Sequence, residues 1–177
     1  SSPAIAPDGT IYQGFEECCW NSFLYAINPD GTLKWKYKTA QPIGEWASSI
    51  GTSVIGPDET VYVVSGAGPN ATLLLLNPNG SLKSKVDGVL GISTFSIPSV
   101  ASDGTVYIRC EGDIFLCAIA PDGSLKWKYE VGWGPALQAV GLDGTVYVTG
   151  INAGLYAINP DGPVKWTDAA PGQVSTK

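Results

Sequence analysis

The chain has 177 residues, ten lysines and arginines against sixteen aspartates and glutamates, no histidine, and a net charge of −6 at pH 7. This acidic balance argues against nucleic-acid and anionic-membrane partners, which select basic surfaces, and the lack of histidine removes the commonest general base and metal ligand. No apolar run approaches the ~20 residues of a membrane-spanning helix, and the 22 glycines and 13 prolines mostly recur at fixed turn positions between Val, Ile, Leu, Tyr and Trp, an all-β composition.

Two hairpins alternate along the chain four times. The first reads SPAIAPDGTIY (Ser2–Tyr12), TSVIGPDETVY (Thr52–Tyr62), PSVASDGTVY (Pro98–Tyr107) and QAVGLDGTVY (Gln138–Tyr147). The second reads LYAINPDGTLKWKY (Leu24–Tyr37), LLLLNPNGSLKSKV (Leu73–Val86), LCAIAPDGSLKWKY (Leu116–Tyr129) and LYAINPDGPVKWTD (Leu155–Asp168). Each unit is therefore four short strands, A to D, and the units span about 1–46, 47–92, 93–134 and 135–168, with a tail at 169–177. In Pro-Asp-Gly, proline presets the first corner, aspartate caps its own backbone and glycine takes the left-handed position. Seven of the sixteen acidic residues are such turn aspartates and read as scaffold. In strand D, Leu33, Trp35 and Tyr37 alternate with Lys34, Lys36 and Lys38, which predicts a half-buried outer strand whose lysines guard an exposed edge. Four-stranded antiparallel units of this length, placed radially, predict a β-propeller; a β-sandwich explains the alternation but not the repetition.

Functional residues are expected where the repeat is interrupted. Gln13–Phe23 lengthens the B–C connection of the first unit and concentrates Glu16, Glu17, Cys18, Cys19 and Trp20. Neighbours on a strand point to opposite faces, so Glu16 and Glu17 cannot form an acid–base pair, though either is a ligand-binding candidate. Trp46 and Trp133 lie in D-to-A linkers; with Trp20 they form either an aromatic floor for sugar rings or a partner's side chain, or plugs at the channel and blade junctions. Arg109, the single arginine, reads as an anion site or as an ion-pair partner of Glu111 or Asp113. The four cysteines match no zinc spacing, and their even number fits an oxidising compartment: secreted, periplasmic or cell-surface. Cys110 and Cys117 flank the third B–C turn and can face each other, or either can pair with Cys18 or Cys19. The opening SSPAIAPDGT, without Met, reads as a processed chain or a fragment.

The motif Ala26-Ile27-Asn28-Pro29-Asp30-Gly31-Thr32-Leu33-Lys34-Trp35 resembles the repeat of the pyrroloquinoline-quinone-like, quinoprotein-type β-propellers. The resemblance implies that Trp35, Trp127 and Trp166 dock each blade on the next. Unit 2 departs from it, with Ser84 for the tryptophan and Leu75 for the alanine. It also implies a ring of about seven or eight blades, so four units make half a ring completed by a second copy or by missing blades, or else a small closed ring. Some quinoprotein dehydrogenases stack their cofactor on a vicinal disulfide, which the resemblance would place at Cys18–Cys19; no Asn, Asp or Glu set for calcium accompanies it, and no cofactor or metal is expected. The resulting expectation is a non-catalytic, extracytoplasmic binding or scaffold module that engages a protein or glycan through rim loops and associates with itself through open blade faces. The alternatives are a fragment of a quinoprotein oxidoreductase and a sugar-binding, lectin-like propeller.

Overall fold

The computed structural model describes residues 2–17, 21–39, 50–66, 71–87, 97–112, 114–132, 138–150 and 154–168. These form four antiparallel sheets in sequence order. Blade 1 contains β1 (Ala4–Ile5), β2 (Ile11–Glu17), β3 (Asn21–Ile27) and β4 (Leu33–Lys38), and blade 2 contains β5 (Val54–Ile55), β6 (Val61–Ser65), β7 (Thr72–Leu76) and β8 (Leu82–Asp87). Blade 3 contains β9 (Ser99–Val100), β10 (Val106–Cys110), β11 (Phe115–Ile119) and β12 (Leu125–Glu130), and blade 4 contains β13 (Gln138–Val140), β14 (Val146–Gly150), β15 (Gly154–Ile158) and β16 (Val164–Asp168). Within each sheet the strands keep sequence order, so the first and fourth are its edges. The A–B and C–D turns consequently lie at one end of every blade, and the B–C connections at the other. This is the four-bladed β-propeller array expected from the repeats.

The turns form as their residues dictate. Gly9, Gly31, Gly80, Gly104, Gly123, Gly144 and Gly162 all have φ between 79° and 111°, where glycine alone is unstrained. Blade 2 breaks this rule in its A–B turn, where Glu59 is forced to φ 62° at the position the other blades give to glycine. Strand D does not keep strict alternation. Trp35 pairs with Ala26 but Leu33 with Ile27, so Lys34 is an extra residue and a bulge turns Leu33 out of the row of Trp35 and Tyr37. Leu33 is therefore 55% exposed rather than on the buried face, and the same register shift exposes Leu82 and Leu125.

The lysines also differ from a plain edge guard. Lys34 Nζ lies 3.0 Å from Asp8 Oδ2 and 2.8 Å from Thr10 Oγ1, crossing its blade to brace the A–B turn. Lys83 does the same to Asp58 and Thr60, Lys126 to Asp103 and Thr105, and Lys165 to Asp143 and Thr145.

The core lies between the sheets. Tyr12, Leu24 and Ala26 of blade 1 pack on Val61, Val63, Leu74 and Leu76 of blade 2. Tyr62, Val64, Leu73 and Leu75 meet Val106, Ile108, Cys117 and Ile119 of blade 3, and Tyr107, Leu116 and Ala118 meet Val146, Val148, Tyr156 and Ile158 of blade 4. Each fully buried Leu or Ile contributes about 2 kcal/mol.

Tryptophan docking joins the blades at their outer corners. The indole N–H of Trp35 donates to the Pro78 carbonyl at 2.9 Å, and its ring lies so close over Gly80 that an added Cβ would be 2.7 Å away. Trp127 repeats this on Pro160 and Gly162 of blade 4. In blade 2, Ser84 Oγ approaches the Asp122 carbonyl at 3.4 Å over Gly123, and Leu75, opposite Ser84, is fully buried.

Candidate functional site

At the B–C end of blade 1, β2 and β3 run on past the core and place a cluster of large side chains on one corner. Phe15 and Phe23 are register partners, and the Phe15 and Tyr25 rings meet edge to face at 5.1 Å. Lys36, on β4 opposite Tyr25, holds its ammonium 4.7 Å above the Phe23 ring and 3.4 Å from Glu17 Oε1. The Tyr25 hydroxyl donates to the same Glu17 carboxylate. That hydrogen bond, with Lys36 adding to it, lowers the Glu17 pKa, and the carboxylate in turn raises that of Tyr25. The result is a lysine–glutamate pair fixed on an aromatic base, with Phe15 45% exposed beside it.

Blade 3 carries a counterpart. Lys128 Nζ sits 5.1 Å above Phe115 and 2.6 Å from Glu111 Oε1. There the neighbouring blade is in place and Phe115 packs partly against its core, yet the Lys128 and Glu111 side chains remain 44% and 41% exposed. The corner is therefore compatible with a packed neighbour. An ammonium with donor capacity to spare, seated on an aromatic face, suits a partner presenting a carboxylate next to an aromatic or apolar side chain.

The other sequence candidates fall in different places. Glu16 pairs in register with Ser22, and Glu17 with Asn21, so the two glutamates alternate across the strand as expected. Arg109 is fully buried: its Nη1 donates to the Gly132 carbonyl at 2.9 Å and its Nη2 to the Thr149 carbonyl at 2.5 Å. The guanidinium thus ties blade 3 to blade 4, and Glu111, its expected ion-pair partner, is taken by Lys128. Cys110 and Cys117 form a disulfide across their hairpin, both fully buried, with Cα atoms 6.0 Å apart. This overturns the pairing of either with Cys18 or Cys19. Cys18, Cys19, Trp20, Trp46, Asp113 and Trp133 lie outside the described residues. The described residues contain no group of three or more His, Cys, Asp and Glu able to hold a metal ion.

The corner was not legible as a unit, because Glu17, Tyr25 and Lys36 come from three strands whose register the sequence does not specify. The turn brace left a stronger trace: a lysine recurs 26, 25, 23 and 22 residues after each A–B turn aspartate.

The family model described as outer membrane protein assembly factor BamB matches residues 22–176. None of the curated proteins matches the chain. Among solved structures, virginiamycin B lyase from Staphylococcus aureus is similar at a TM-score of 0.69 and 17% identity, over 96% of this chain and 55% of its own. A protein of unknown function from Bacteroides caccae is similar at a TM-score of 0.58 and 16% identity, over 98% and 82%. A gluconolactonase from Xanthomonas campestris is similar at a TM-score of 0.58 and 14% identity, over 98% and 63%. At these identities the likeness shows the propeller fold alone, and the chain spans little more than half the length of the lyase.

Proposed function

This chain belongs to the family of outer membrane protein assembly factor BamB, with its pyrroloquinoline-quinone-like propeller repeats, and on that premise we propose that it is a non-catalytic, extracytoplasmic module that binds a protein partner at its outer rim. The observation that carries this reading is the corner of Lys36 and Glu17 on Phe23 and Tyr25, repeated as Lys128, Glu111 and Phe115. A charged pair fixed on half-buried aromatic rings, at two points of one perimeter, suits recognition of a partner. The buried Cys110–Cys117 bond supports an oxidising location, where such bonds persist.

The test is a titration with extended peptides of alternating aromatic residues, with and without flanking Asp or Glu, beside a glycan panel, read by calorimetry. Binding of the acidic aromatic peptides is expected, weakened at least about tenfold in Lys36→Ala/Lys128→Ala, equivalent to about 1.4 kcal/mol. Binding to glycans alone would transfer the reading to a lectin. Tight uptake of pyrroloquinoline quinone with calcium, followed by dye reduction, would overturn the non-catalytic assignment.

A further inference from the structure

The two ends of the array leave uncovered the same positions that every internal junction covers. Tyr12, Tyr62 and Tyr107 are 2%, 0% and 1% exposed, whereas Tyr147 in blade 4 is only half-buried. Leu24, Leu73 and Leu116 are fully buried, but Leu155 is not. On the opposite face, Val61, Val106 and Val146 are fully buried while Ile11 of blade 1 is half-buried, and Ile27 likewise departs from Leu76, Ile119 and Ile158.

The docking parts at these ends are intact and unused. Trp166 stands 6.0 Å from Tyr147, close to the pose that Trp35 holds on Tyr12 at 5.6 Å and Trp127 on Tyr107 at 5.7 Å. It is 42% exposed, and its indole N–H has no acceptor among the described residues. At the other end, the Gly31 N–H bonds the Asn28 carbonyl at 2.9 Å, as Gly80 does with Asn77 and Gly162 with Asn159. The acceptor turn is thus built alike in all three, yet nothing lies within 4 Å of a Cβ at Gly31.

We propose that a second copy of this chain completes the ring, with Trp166 of each copy docking on Pro29 and Gly31 of the other. The donor half at one end and the acceptor half at the other are the two sides of an interface the chain already forms internally, and blade 1 carries the same corner chemistry as blade 3, which accepts a neighbour. Two such contacts related by a two-fold axis leave no end open and give four plus four blades.

Light scattering on the 177-residue chain up to about 0.1 mM, a weak-interface concentration, should report twice the 18.5 kDa chain mass. Trp166→Ala removes the donor. Gly31→Asn keeps a residue that tolerates left-handed backbone and fills the acceptor. Each variant alone should be monomeric with a native near-ultraviolet dichroism spectrum. Mixed in equal amounts they should pair through the one junction still intact, the Trp166 of one on the Gly31 of the other. A wild-type monomer, a ladder of larger species, pairing indifferent to Trp166→Ala, or folded variants that fail to pair on mixing would each overturn the proposal. Lys36→Ala/Lys128→Ala should still pair, which separates this result from the partner-binding reading.

Discussion

Asp8 shows how a turn residue becomes a structural acid. Its carboxyl is drawn down to about 2 from the ordinary 3.8, first by the backbone N–H of Thr10, then by the Thr10 hydroxyl and Lys34. Asp143 reaches about 2 through the Thr145 hydroxyl and N–H, then Lys165. Burial works against Asp58, yet Lys83 and Thr60 still hold it at about 2. A carboxyl depressed in the folded state contributes stability at pH above its ordinary value and loses it as the pH falls toward the folded value. The melting temperature should therefore be flat from pH 7 to about 5 and fall between about 4 and 2. Asp143→Asn keeps an acceptor for the Thr145 N–H but has no charge to lose. Thermal melts of this variant should be lower near neutrality and fall less steeply in acid; an acid limb as steep as the wild type would refute the role given to the brace. The sequence revealed Asp8 and Asp143 as turn residues because the cap is local. It did not reveal the reach of Lys34 or Lys165, which depends on the width and twist of a whole sheet. The carbonyl partners of Arg109 escaped the sequence for the same reason: Gly132 and Thr149 are 23 and 40 residues away.

At the scale of elements, the pairing of the third and fourth strands is a volume balance. Ala26 faces Trp35, Ala118 faces Trp127 and Ala157 faces Trp166, while Leu75 faces Ser84. The exchange of a large–small pair for a medium–small one was readable from the aligned repeats, since it needs only the repeat register. The bulge that turns out Leu33 was not, because its cause is a backbone irregularity with no side chain to announce it. The balance can be tested by remaking the common pair in blade 2. Ser84→Trp alone should cost about 1–3 kcal/mol by overpacking, and Leu75→Ala alone about 2–5 kcal/mol by cavity formation. The double variant should recover at least about 1 kcal/mol of their sum in urea denaturation, with the introduced indole lying over Gly123. Strict additivity would mean the two positions do not share a space.

The whole molecule is a short one-dimensional array, in which each blade is held by its neighbours. β6, β7, β10 and β11 are buried almost throughout, having a blade on both sides, whereas β3 and β14 alternate between buried and half-buried positions. Stability should therefore decline from the middle outward, because local opening of an end blade breaks one interface and opening of a central blade breaks two. In the Trp166→Ala chain, amide exchange should be fastest in β2–β4 and β14–β16 and slowest in β6, β7, β10 and β11. In the wild-type chain at concentrations where copies pair, exchange in β2, β3, β15 and β16 should slow toward the central rate, since those strands then gain the neighbour they lack. Blades 2 and 3 should hardly change. A uniform slowing across all four blades would point to general stabilisation instead, and a gradient identical in both proteins would mean that Trp166 holds nothing beyond its own blade.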